Sequence, residues 1–90
     1  MKLDGFESKL LYKLYRNRCF GKGHMLESNL LSGFPKHTTG EAKAALKALK
    51  RSGIVLTYPT KHGFSVYIEA GKRLDVFQAL KRDYPWLSEF

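Results

Sequence analysis

Thr38-Thr39-Gly40-Glu41-Ala42-Lys43-Ala44-Ala45-Leu46-Lys47-Ala48-Leu49-Lys50-Arg51-Ser52-Gly53-Ile54-Val55 holds the decisive reading of this chain. Thr38 stands three residues before Glu41, the spacing of a capping box, in which each side chain satisfies the other's free backbone N–H. Ala42, Ala45, Leu46 and Leu49 then recur at helical intervals and predict one apolar stripe. The residues between them are strong helix formers. Gly53 follows where a C-terminal cap is wanted. Gly40 is the discordant residue, costing up to about 1 kcal/mol relative to alanine inside a helix.

Working outward, the period changes from helical to alternating after Gly53. Ile54, Leu56 and Tyr58 alternate with Val55 and Thr57, and Phe64, Val66 and Ile68 alternate with Ser65, Tyr67 and Glu69. This predicts a hairpin, with Pro59-Thr60-Lys61-His62-Gly63 as a loop longer than two residues and a tip free to move. Beyond it, a helix is expected over about 72–83, with Leu74, Phe77 and Leu80 on one side. Pro85 limits it, and Trp86, Leu87 and Phe90 are expected to fold back on the core. Upstream, Phe6, Leu10, Leu11 and Leu14 predict a helix from about Phe6 to Phe20, off whose stripe lie Lys9, Lys13 and Arg16. Gly21-Lys22-Gly23 breaks it. A short second helix is expected over about His24 to Ser32, ended by Gly33, and Phe34-Pro35-Lys36-His37 reads as a turn. The predicted fold class is α+β, mainly α, in the order helix, helix, helix, strand, strand, helix. Residues 1–90 are expected to form one domain, with its core in about 6–69.

Leu46, Leu49, Gly53 and Val55 carry the spacing L-x-x-L-x-x-x-G-x-V, and on it the chain resembles winged-helix domains, where this spacing joins the third helix to the wing. Gly63, Tyr67 and Ile68 are similar to a wing's tip and returning strand. Gly33-Phe34-Pro35-Lys36-His37, Ala45-Leu46-Lys47-Ala48-Leu49 and Pro59-Thr60-Lys61-His62-Gly63 further resemble small stand-alone archaeal winged-helix proteins. The resemblance implies a winged helix-turn-helix that lays its third helix in a DNA major groove and its wing on backbone or minor groove. There are two departures from the pattern. The Gly33-to-His37 connection is longer than the tight turn of many DNA-binding relatives. His62-Gly63-Phe64 stands where many wings carry an arginine beside the tip glycine.

Charge agrees with that expectation. Sixteen Lys and Arg against eight Asp and Glu leave +8, a balance that attracts polyanions. From Lys36 to Gly63, six basic residues face Glu41 alone, so +5 of the total lies there. Opposite the apolar stripe the predicted helix carries Thr39, Gly40, Lys43, Lys47 and Lys50, with the three lysines aligned along one side. Lys43 and Lys47 are expected deepest, touching phosphate or guanine edges. Thr39 and the helix N-terminus are expected to hold a phosphate, and Gly40 to permit close backbone approach. Lys36 and His37 are assigned to the flanking backbone, Lys61 and His62 to the wing's contacts, and Arg51 to the same basic surface. No Arg, Asn or Gln occupies the centre of this face, so modest sequence specificity is expected.

Other readings stay open beside this one. The lysine face can be plain solvated surface, and Tyr12, Tyr15 and Tyr67 can stack on bases or fill core edges. The Leu74, Phe77 and Leu80 stripe, with Trp86 beyond, is either a homodimer contact or packing on the first helix. A protein-interaction or assembly module and an RNA-binding domain are the functional alternatives to a DNA-binding transcriptional regulator. His24, His37 and His62 lie at spacings that match no compact ligand motif, so neither metal nor cofactor is expected. Cys19 is expected to be a small buried hydrophobe. No acid–base pairing or phosphate-cradling glycine motif suggests an enzyme. No run of about 18 apolar residues and no secretory signal is present, so a cytoplasmic protein off the membrane is expected.

Overall fold

The computed structural model describes residues 1–89, so the expectation for Phe90 lies outside the described residues. Helix α1 (Gly5–Arg16) starts at a capping box that the sequence reading passed over. The Asp4 carboxylate accepts the Glu7 N–H at 2.7 Å, and the Glu7 carboxylate accepts the Asp4 N–H at 3.1 Å. The helix stops at Arg16, not Phe20. Arg18 adopts φ 57°, and the Cys19 and Arg18 N–H groups turn back to the Leu14 and Tyr15 carbonyls at 2.8 and 3.0 Å. That left-handed residue ends the helix and frees Phe20 to bridge Ile68. A Cβ on Gly23 would collide with the Arg18 carbonyl oxygen, so this close approach requires glycine.

The expected second helix is corrected. Met25–Leu26 form a strand, β1, and only Glu27–Leu31 are helical, as α2. Met25 pairs with Val66 and Leu26 with Ser65, so a sheet edge claims two residues that helical spacing alone assigned to a helix. A 3₁₀ turn over Lys36–Thr38 runs directly into helix α3 (Thr39–Arg51). The expected capping box at Thr38 is therefore absent. Thr38 has φ −108° and ψ 5°, outside the extended conformation an N-cap requires, and its hydroxyl donates to the Pro35 carbonyl at 2.9 Å. At the other end Gly53, at φ 78°, caps as expected. Its N–H bonds the Lys50 carbonyl at 3.1 Å and the Ile54 N–H bonds the Leu49 carbonyl at 3.2 Å, a Schellman pattern.

Strands β2 (Val55–Thr60) and β3 (Gly63–Ile68) form the expected hairpin, and the antiparallel sheet has the order β1-β3-β2. Its loop is corrected to two residues, Lys61 and His62, because Pro59 pairs with Phe64 and Thr60 with Gly63. Proline is tolerated there because β2 is an edge strand, where an absent N–H need not cost a ladder bond. The Thr60 hydroxyl ties the turn, donating to the Gly63 carbonyl at 2.6 Å and accepting the His62 N–H at 3.2 Å.

Helix α4 (Arg73–Asp83) follows a 3₁₀ turn over Ala70–Lys72. Its inward residues are Val76 and Leu80, both fully buried, while Leu74 is 51% exposed. Phe77 stacks obliquely on Tyr15 at 5.8 Å. The proposed dimer stripe is thereby split: Leu80 belongs to the core and is not available to a second copy. Leu87 folds back as expected and Trp86 does not; its indole N–H reaches the Tyr12 hydroxyl at 3.3 Å. The result is an α+β fold, mainly helical, of four helices and a three-stranded sheet. One core joins Leu10, Leu11, Leu14 and Tyr15 of α1 to Leu46, Leu49, Val66, Ile68 and Leu80. No helix among the described residues is long and apolar enough to cross a membrane.

Candidate nucleic-acid interface

Ala42, Ala45, Leu46 and Leu49 are all buried, as the stripe predicts. With about 100° between successive residues, Gly40, Lys43, Lys47 and Arg51 then point away from the core. All four are exposed. No atom lies within 4 Å of where a Cβ on Gly40 would stand, so nothing inside the chain demands glycine there. Lys36 and His37, exposed in the 3₁₀ turn, extend this surface past the start of α3.

Two expected members turn aside. Lys50 lies on the flank of α3, where its Nζ meets Glu27 Oε2 of α2 at 2.9 Å with both side chains about one-third exposed. The row of three lysines thus becomes Lys43 and Lys47 with Arg51, and Lys50 is a tie between two helices. Thr39 is half-buried, and its N–H is already bonded to the Lys36 carbonyl. The 3₁₀ turn has used one of the backbone donors that were expected to meet a phosphate.

Lys61 and His62 are exposed at the hairpin turn. No carboxylate occurs between Glu41 and Glu69, so beyond Glu41 the outer face of α3 and the whole hairpin carry only cationic and neutral side chains. The sequence reading missed a second such stretch. Between Glu7 and Glu27 there are Lys9, Lys13, Arg16, Arg18 and Lys22 and no acid. Counting the gaps between acidic residues would have exposed it. Lys13 is committed to the Asn29 carbonyl at 2.7 Å, whereas Lys9, Arg16 and Lys22 are exposed.

The aromatic expectations divide. Tyr15 is fully buried in the core, and Tyr12 stacks on Tyr84 with centroids 3.9 Å apart. Tyr67 is half-buried. The accessible tyrosine is one not singled out: Tyr58 is 52% exposed on β2 and stacks with His24 at 5.1 Å. Cys19 is 4% exposed, and burial pushes its thiol above the usual range, which disfavours the nucleophilic thiolate. Among the described residues no three His, Cys, Asp or Glu side chains gather as a metal site. Comparison with protein-family models, curated proteins and solved structures gives no match.

Proposed function

We propose that this chain is a winged-helix nucleic-acid-binding protein that engages double-stranded DNA through α3 and the β2–β3 hairpin. The observation that carries the reading is the carboxylate-free run from Ala42 to Ile68, whose exposed cations Lys43, Lys47, Arg51 and Lys61 lie on an outward helix face and a hairpin turn. Phosphate neutralisation is what such a surface does best, because each ammonium or guanidinium that meets a phosphate releases condensed counterions. The short α2, the longer α3 and the following hairpin supply the order of elements from which such domains present a recognition helix. Base reading would be limited, since Lys43 and Lys47 offer single-point donors and lack the fork of arginine. A role in transcriptional regulation fits this chemistry.

Titration into labelled random duplex DNA at two salt concentrations tests the reading. Affinity should fall steeply with salt, at a slope of about −0.9 per phosphate neutralised. Lys43→Ala with Lys47→Ala should weaken binding at least about tenfold and flatten the slope by about 2. Thermal unfolding of this double variant should match the parent, because both side chains are exposed. Unchanged affinity in a folded double variant would remove α3 from the interface. Since lysine–phosphate contacts do not choose between duplexes, competition by RNA of equal length decides between DNA and RNA.

A further inference from the structure

A shallow recess of about 360 Å³ opens on the sheet face beside the hairpin turn, lined by His24, Leu26, Thr60, His62 and Ser65. Its construction follows from the sheet order. Ser65 lies on the central strand and pairs with Tyr58 on one side and Leu26 on the other. Directly paired residues share a face, so a small serine is left between larger neighbours. The gap becomes the floor, and Ser65 is only 2% exposed beneath it. His24 lines the recess and stacks on Tyr58, centroids 5.1 Å apart and planes 23° from parallel. His62 approaches from the turn.

We infer that this recess holds one unpaired nucleobase, so that the protein prefers nucleic acid with a single-stranded end or extension over a blunt duplex. The inference rests on the proposed duplex-binding role for the origin of that base, but the recess itself can be tested alone. The volume falls at the lower end of small-molecule sites, enough for one flat heterocycle. Imidazole and phenol rings are the surfaces on which unstacked bases sit, and stacking tolerates any base. Neither ring is needed by the core: His24 is exposed and Tyr58 is half exposed. The recess also offers a polar handle. The Thr60 hydroxyl is committed to the turn, and the Ser65 hydroxyl group belongs to the floor of the recess. The charge around it suits a nucleotide. Lys61 adjoins His62, Lys22 precedes His24 by two residues, and no acid lies on β1, β2 or β3.

The first test is an NMR titration of the full chain with deoxyadenosine 5′-monophosphate, and separately with deoxyribose 5-phosphate, at millimolar concentration. The nucleotide should shift the His24 and His62 ring resonances and the sugar phosphate should not. His24→Ala should abolish the response and His24→Phe should keep it, with His62→Ala as a second variant. The second test compares a blunt duplex with one carrying a single-stranded extension. The extended duplex should bind about tenfold more tightly, and His24→Ala should erase that margin while leaving the blunt affinity unchanged. No ring shift, an equal response to the sugar phosphate, or equal affinity for the two duplexes overturns the inference and leaves duplex binding standing. A nucleotide response without any binding of duplex overturns the proposed function and leaves the recess a mononucleotide site.

Discussion

Helices α1 and α3 pack against each other and close with the same hydrogen-bond pattern, yet they are built differently at both ends. α1 opens on the reciprocal Asp4–Glu7 box, while α3 opens on a 3₁₀ turn with no side-chain cap. α3 closes with Gly53 at φ 78°, and α1 closes with Arg18 at φ 57° in the equivalent place. A non-glycine residue there costs roughly 1–2 kcal/mol. α1 sustains it because Leu10, Leu11, Leu14 and Tyr15 are all fully buried and its sides meet α2, α3, α4 and β3. α3 uses one side for the core and leaves the other exposed. The helix with the deeper burial tolerates the strained cap, and the helix with an open face carries the favourable one.

Breaking α1 from within should have the largest effect. Tyr15→Ala removes a fully buried ring that touches Phe20 and Phe77, and should lower unfolding free energy in urea by about 3–5 kcal/mol. A loss no larger than that of an exposed α3 substitution such as Lys47→Ala would contradict the central role of α1. Exchanging the caps sharpens the comparison. Gly53→Ala should cost about 1–2 kcal/mol, whereas Arg18→Gly should add up to about 1 kcal/mol. If Arg18→Gly destabilises, the contacts of the arginine side chain outweigh its backbone strain. The smallest contrast lies at the N-termini. Asp4→Ala should cost about 1 kcal/mol, since it removes the carboxylate that accepts the Glu7 N–H. Thr38→Ala should stay within about 0.5 kcal/mol, because its hydroxyl serves the Pro35 carbonyl at an exposed turn. Equal losses at the two positions would refute the distinction drawn between the two helix starts.

These contrasts also mark how far the residues could be read unaided. The α3 stripe, the Gly53 cap and the outward Lys43 and Lys47 follow from spacing within two turns of helix, and all were legible. The Asp4–Glu7 box was equally local, with the same spacing as Thr38–Glu41, and was passed over. Choosing between those two boxes needed the backbone that precedes each: extended at Asp4, with ψ 176°, and turned at Thr38, with ψ 5°. In the candidate interface, Lys50 looked equivalent to Lys43 and Lys47 because its partner Glu27 lies on another helix. On α4, Leu74 was expected on the apolar side with Phe77 and Leu80, yet it is exposed, and Val76, which was not singled out, is buried in its stead.

Sequence by itself therefore determined the features governed by near neighbours: where α3 runs and ends, that a hairpin follows it, that charge gathers over Lys36 to Gly63, and that Cys19 lies inside. Only tertiary structure decided that Met25 and Leu26 are a strand, since their partners Val66 and Ser65 lie some forty residues on. It alone shortened the hairpin loop to Lys61 and His62, placed Tyr58 against His24, and took Lys50 and Leu80 out of the surfaces assigned to them. The physical reason is range. Helical stripes and caps depend on contacts three or four residues apart, whereas register, ion pairing between helices and the choice of a buried face depend on which distant segment arrives to complete them.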